Sequence, residues 1–396
     1  MTTRMDIAKK AAAAFVVAAT AFVPPALSVS PAAATVAAGY ETAASRFVLP
    51  VPSGAHAVGR EVLHLVDRSR RDPWVPASPR ELMVSMYYPA AARPGPAATY
   101  LTVDEARRFV EDRKVSGLVE PEELSATRTA ARRSAQPRRG RYPLVVLSPG
   151  FTLHRHTLTH LAEELASRGY VVALVDHAHE SAGTAFPGGR LIACTACDVF
   201  EQQENDDLAR VAEGRAADVS FLLDRLTGVR PAWRHAGLID RRRIGMAGHS
   251  IGGNAAAATM AADRRVRAGI NMDGTQFAPL PADGLAGRPF MLFGAPGHSP
   301  GVNPRDTTWD RDWARLDGWK RWFTVTGTGH LDFSDTSVLS EQAGLPDNGS
   351  PLPGDRTARI VRDYVNAFFD LHLRGVAQPL LDGPAADHPE VVFHQP

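Results

Sequence analysis

Residues 47–375 are predicted to form one α/β domain, a mostly parallel sheet with helices on both faces and antiparallel strands at its N-terminal edge. Three observations predict it. Continuous apolar runs such as Leu144-Val-Val-Leu147 and Tyr170-Val-Val-Ala-Leu-Val175 read as parallel strands covered on both faces. These runs alternate with helical patterns, and such alternation implies right-handed crossovers and a parallel sheet. Ahead of them, 59–67 and 80–89 alternate apolar with polar residues, as half-buried antiparallel strands do.

The elements follow in order. A turn-rich lead, 47–54, precedes the two alternating strands, which a proline-rich loop over 68–79 joins. Residues 90–140 are rich in Ala, Pro and Arg, with short helical patterns over 102–114 and 120–128, and read as an insertion. A solvated surface excursion is the expectation for it, with a lid as the alternative. A helix over 158–168 ends at Gly169, a position suited to a left-handed cap. A long helix is expected over 206–226, then strands at 244–247, 266–271, 289–293 and 321–325. A helix over 357–373 closes the domain, leaving 376–396 as a tail, and neither internal repeats nor a second core are visible.

The 396 residues carry a formal net charge of +1, which implies no nucleic-acid partner. Arg4, Lys9 and Lys10 precede an apolar run from Ala11 to Val23 and then small residues ending in Ala32-Ala33-Ala34. That is the order of a secretory signal peptide, here 1–34, with cleavage expected after Ala34 or Ala38 and a secreted product. The only cysteines, Cys194 and Cys197, are then expected to form a small disulfide stapling a loop.

Chemistry concentrates in Arg243-Ile-Gly-Met-Ala-Gly-His-Ser-Ile-Gly-Gly-Asn254, which reads as a strand, a G-x-S-x-G turn and an alanine-rich helix over 254–262. In that context the motif is a nucleophile elbow, and the fold class becomes the α/β-hydrolase fold with Ser250 as nucleophile. A serine hydroxyl needs a base held by a carboxylate, and in this fold the chain order is Ser, acid, His. His330, in Gly327-Thr-Gly-His330-Leu-Asp-Phe333, follows the last parallel strand; the other histidines after Ser250 are His298, in a Pro/Gly loop, and His372, His388 and His394. Asp273, ending the strand after the elbow helix, is the expected acid, with Asp306, Asp310 and Asp312 as rivals in the next loop. The oxyanion hole is expected from the backbone N–H groups of Ile251 and Phe151, the latter in Ser148-Pro-Gly-Phe-Thr152, with the Phe151 ring as a wall of the acyl pocket.

Four stretches carry a resemblance: Leu147-Ser-Pro-Gly-Phe151, the Gly248–Gly253 elbow, Asn271-Met-Asp-Gly274 and Gly329-His-Leu-Asp-Phe-Ser-Asp335. With the opening strands, they make most of 47–375 similar to the platelet-activating factor acetylhydrolase family, which includes lipoprotein-associated phospholipases and secreted bacterial esterases. The resemblance implies a calcium-independent serine esterase that removes short or oxidised acyl chains from phospholipids. By position it supports Ser250, Asp273, His330, Phe151 and Ile251 in the roles above. Pro149 stands where that family often has a histidine, and 90–140 matches it poorly.

Two clusters, His154/His156/His160 with Glu164 and His177/His179 with Glu180, contain metal-ligand residue types. A serine triad has no use for a metal, so both are expected to be polar rim, with no metal and no cofactor. The reading is a secreted carboxylesterase acting on small-molecule or lipid esters, with transient contact with a lipid surface. The alternatives are a lipase or cutinase-like polyester hydrolase and an inactive lipid-binding homologue.

Overall fold

The computed structural model describes residues 45–91, 95–202, 207–345 and 350–396. The expected signal peptide and its cleavage positions after Ala34 or Ala38 lie outside them.

The main sheet is built from β1 (Ala57–Arg71), β2 (Pro79–Ala90), β3 (Arg132–Arg133), β4 (Tyr142–Ser148), β5 (Val171–His177), β8 (Ile239–His249), β9 (Val266–Met272), β10 (Phe290–Gly294), β11 (Lys320–Val325) and β12 (Val391–His394). A separate hairpin pairs β6 (Thr184–Phe186) with β7 (Arg190–Ile192). The sheet order is β12-β11-β10-β9-β8-β4-β5-β2-β1-β3. The run from β11 to β5 is parallel, while β1 with β2, β2 with β5 and β12 with β11 are antiparallel. The helices are α1 (Val103–Asp112), α2 (Pro121–Ser125), α3 (Thr159–Ser167), α4 (Thr195–Gln202), α5 (Ala209–Thr227), α6 (Ile251–Ala262), α7 (Thr308–Trp313), α8 (Thr336–Gln342) and α9 (Gly354–Arg374).

Alternation along β4 shows how the two cores form. Val145 and Leu147 face α3 and α9, packing with Leu161, Leu165, Val365 and Phe369. Leu144 and Val146 face α5 and α6, packing with Val219, Leu222, Ala255 and Met260. A side chain buried this completely contributes on the order of 1.5–3 kcal/mol. A strand with water on neither face has no reason to place polar residues, hence its unbroken apolar run. Gly169 does adopt the left-handed conformation beyond α3, with φ of 92°.

Several expectations are corrected. β1 runs on to Arg71, so the connecting loop is shorter than 68–79. The 90–140 segment is no solvated excursion. Tyr100, Leu101, Ala106, Val110, Val119 and Leu124 bury a core of their own with Phe47, Leu49 and Leu339. Thr102 and Glu105 close a capping box at the start of α1, the buried Glu105 carboxylate accepts from the Ala185 N–H at 3.0 Å, and Tyr100 Oη donates to Asp335 at 3.1 Å. The expected 206–226 helix begins at Ala209, and α4 precedes it. The Cys194–Cys197 disulfide therefore staples the start of a helix and not a loop. The 376–396 tail folds back, and its β12 adds an edge strand to β11. No helix among the described residues is long and apolar enough to cross a membrane.

Candidate active site

Ser250 sits between β8 and α6 with φ of 57° and ψ of −129°, a conformation that a non-glycine residue holds only when its surroundings impose it. The crossing is tight. A Cβ on Gly248 would lie 2.2 Å from the Gly252 carbonyl carbon, and one on Gly252 would lie 2.1 Å from the Ser148 carbonyl oxygen. Both positions therefore require glycine. The positive end of α6 points at Ser250.

The sequence-predicted residues come together. His330 Nε2 is 2.9 Å from Ser250 Oγ, and His330 Nδ1 is 2.7 Å from Asp273 Oδ2. A carboxylate only accepts, so Nδ1 carries the proton and Nε2 presents its lone pair to the serine, the tautomer a general base needs. Asp273 is 2% exposed, whereas the His330 side chain is half exposed at the mouth of the site. Burial opposes the Asp273 charge, but hydrogen bonds from His298 and His330 outweigh it and hold the carboxyl below the usual carboxylate range. Asp273 itself has φ of 57°, and Asn271 clasps the turn beneath it through the Gly274 N–H at 2.8 Å and carbonyl at 2.7 Å.

The 148–152 loop lies alongside. A Cβ on Gly150 would be 3.3 Å from Ser250 Cβ. Among the described residues, neither the Phe151 nor the Ile251 amide N–H donates to a backbone acceptor, so both are available to a developing oxyanion. Phe151 and Ile251 share an apolar cluster with Trp74, Phe200 and Ala278, and the Phe151 and Phe200 rings meet edge to face at 5.7 Å.

The loop is pinned from below by buried charge. Arg215 donates to the Pro149 carbonyl at 2.5 Å and to Glu180 at 2.7 Å; the Glu180 carbonyl accepts from the Thr152 N–H at 2.9 Å. Glu180 also accepts from Trp74 Nε1 at 2.9 Å and from Arg80 at 2.6 Å, and Arg80 reaches Asp218 at 2.7 Å. His177 bridges Asp218 at 2.8 Å and Ser148 Oγ at 3.1 Å; burial, aided by Arg215, lowers its pKa, so it is neutral.

The two histidine clusters expected at the rim are thus mostly buried, and each takes up private partners. His160 pairs with Asp335 at 2.6 Å, His154 with the Gly183 carbonyl, and Glu164 with Ser53 and Asn366. His179 is half-buried against Thr195 at 2.9 Å. Among the described residues no group of three or more His, Cys, Asp or Glu side chains is arranged to hold a metal ion.

Of the rival acids, Asp312 is buried with Arg311 at 2.8 Å and Asp310 lies on α7. Asp306 is 3.5 Å from His298 Nε2, and His298 Nδ1 is 2.9 Å from Asp273 Oδ1. His249, next to Ser250, donates from Nε2 to the His330 carbonyl at 2.7 Å, and burial lowers its pKa to about 3. Reasoning from sequence missed His298, His249 and Arg215. A signal existed for Arg215: with Asp218 it falls on the same helical face as Val211, Val219 and Leu222, where each buried charge needs a partner from elsewhere in the fold.

Residues 42–188 match the model of the family described as platelet-activating factor acetylhydrolase, isoform II. The chain is 29% identical over 380 residues to a probable 1-alkyl-2-acetylglycerophosphocholine esterase of Arthroderma benhamiae, covering 88% of this chain and 94% of that protein. It is 29% identical over 181 residues, 39% of each chain, to the platelet-activating factor acetylhydrolase of Cavia porcellus. A ferulic acid esterase from Streptomyces cinnamoneus superposes with a TM-score of 0.78 at 42% identity, over 88% of this chain and 100% of that one. The chain is a carboxylic ester hydrolase of the α/β-hydrolase fold, and over residues 42–188 it is similar to the platelet-activating factor acetylhydrolase family.

Proposed function

We propose that the protein is an exported serine esterase that cleaves short acyl esters, those of phospholipids included, through an acyl-enzyme. The observation that carries this is the continuous chain from Ser250 Oγ through His330 to Asp273, at 2.9 Å and 2.7 Å, beside two uncommitted amides. His330 Nε2 takes the serine proton as Oγ attacks the ester carbonyl. The oxyanion rests on the Phe151 and Ile251 N–H groups, and Asp273 stabilises the imidazolium. Collapse expels the alcohol, which leaves with the proton from His330. Water, deprotonated by His330, then cleaves the acyl-enzyme and frees the acid. Export is supported by the charged, apolar, small-residue order of 1–34.

A second reading is an aryl esterase. The aromatic side chains of Trp74, Phe151 and Phe200 gathered at the oxyanion loop, and the 42% identity to a ferulic acid esterase, support it. A planar acyl group is a natural partner for such rings. The test is a kcat/KM series over phosphocholine esters of rising acyl length, simple alkyl esters and hydroxycinnamate esters. The first reading expects the short-acyl phosphocholine esters to lead. A lead of tenfold or more for hydroxycinnamates selects the second reading, and no turnover of any of them overturns both.

A further inference from the structure

We infer that His298 is a positioning residue, an imidazolium clamped between Asp273 and Asp306 that keeps the Asp273 carboxylate ionised and aimed at His330. The inference rests on the reading of Ser250, Asp273 and His330 as a triad.

Asp273 divides its two oxygens. Oδ2 serves His330 at 2.7 Å, while Oδ1 accepts from the Ala295 N–H at 2.6 Å and from His298 Nδ1 at 2.9 Å. The other nitrogen of His298 faces Asp306 Oδ2 at 3.5 Å. Both ring nitrogens therefore look at carboxylate oxygens, an arrangement that suits the doubly protonated ring. The ring cannot swing away. It stacks on Trp309, with centroids 4.4 Å apart and planes at 23°, and its own carbonyl accepts from Trp322 Nε1 at 2.8 Å. Asp306 is fixed in turn by Thr275 Oγ1 at 2.5 Å and Thr308 Oγ1 at 2.6 Å.

A carboxylate buried as deeply as Asp273 needs a compensating charge. His330 supplies one only once it has taken the serine proton, in the middle of the reaction. His298 supplies the charge in the interval. Burial alone would lower its pKa, but its hydrogen bond to Asp273 and the nearby Asp306 carboxylate outweigh burial and raise it to about 9. The charged and titratable groups facing it are Asp273 from the end of β9 and Asp306 from the loop before α7, with His330 and His249 beyond Asp273. The faces that α7 and β11 turn to it are the uncharged Trp309 and Trp322.

The experiment measures kcat and KM for p-nitrophenyl acetate from about pH 5 to 9, on full-length wild type, Ser250→Ala, His298→Gln and Asp306→Asn. Glutamine can still donate to Asp273 but carries no charge. His298→Gln is expected to lower kcat about tenfold or more at little changed KM. Removing a cation near His330 favours its protonation, so the acid limb of the profile should move up by about half a pH unit or more. Asp306→Asn leaves His298 charged and removes an anion, so its acid limb should move to lower pH, with a smaller loss of kcat. Opposite shifts are the signature that a purely structural role would not give. A kcat within about twofold of wild type in His298→Gln, or losses in both variants with unmoved limbs, overturns the inference. If circular dichroism shows that His298→Gln fails to fold, the limb of Asp306→Asn decides: a downward move supports the inference and an unmoved limb overturns it. Ser250→Ala separates the two levels. If it is inactive while His298→Gln behaves as wild type, only the role of His298 falls; if it retains turnover, the triad reading falls and the inference falls with it.

Discussion

The two sides of Ser250 bury carboxylates in opposite ways. On the oxyanion side, Asp218 and Glu180 face Arg80 and Arg215, all 2% exposed or less. On the triad side, Asp273 faces His330 and His298. An arginine keeps its charge at every working pH, so the cations that anchor the loop carrying the Phe151 N–H do not titrate. Histidine changes charge within the working range, and it stands where a proton has to move. The difference separates what must stay still from what must respond.

The comparison can be broken most severely at the acid. Asp273→Asn keeps the shape but removes the charge that both histidines face, and turnover should fall on the order of a thousandfold or more. Steady-state kinetics on a simple acetate ester reads it, and an active Asp273→Asn would move the acid elsewhere. On the other side, Arg215→Met leaves Glu180 without that partner and releases the Pro149 carbonyl. Losing one member of a buried pair costs about 3–5 kcal/mol, which urea denaturation should show alongside a reduced kcat.

A smaller effect sharpens the contrast between fixed and titratable charge. The raised pKa of His298, about 9 against 6.5, means that its ion pairs contribute fully to stability below about pH 6.5. That contribution fades as pH rises through about 9. The denaturation midpoint difference between wild type and His298→Gln should therefore be largest near pH 6 and shrink by pH 10, whereas the Arg215→Met difference should stay nearly constant over that range. The smallest effect belongs to the Cys194–Cys197 staple. Its closed loop is so short that replacing both cysteines by serine should lower stability by about 2 kcal/mol or less.

What was legible follows the same division. Ser250 was readable because an elbow is a local demand for glycines between strand and helix, and Asp273 and His330 because each follows a strand in a fixed chain order. His298 looked like any loop histidine, since its partners arrive from two other loops. Arg215 and Asp218 stand on the apolar face of α5, but their partners could not be read, because only the tertiary arrangement brings Glu180 and Arg80 to meet them. The apolar content of 90–140 was masked by its Arg and Pro residues, although Tyr100, Leu101 and Val110 suffice for a small core. The strand at 391–394 lay beyond the last helix, where a run of four residues gives no period to read.

The central claim is that Ser250 is the residue which acquires the acyl group. A fluorophosphonate mimics that step by forming a stable bond to an activated serine Oγ, and peptide mass mapping locates the adduct. The account predicts one adduct, on the peptide carrying Ser250, absent from Ser250→Ala and formed far more slowly in Asp273→Asn. An adduct on another residue, or undiminished labelling of Ser250→Ala, would contradict it.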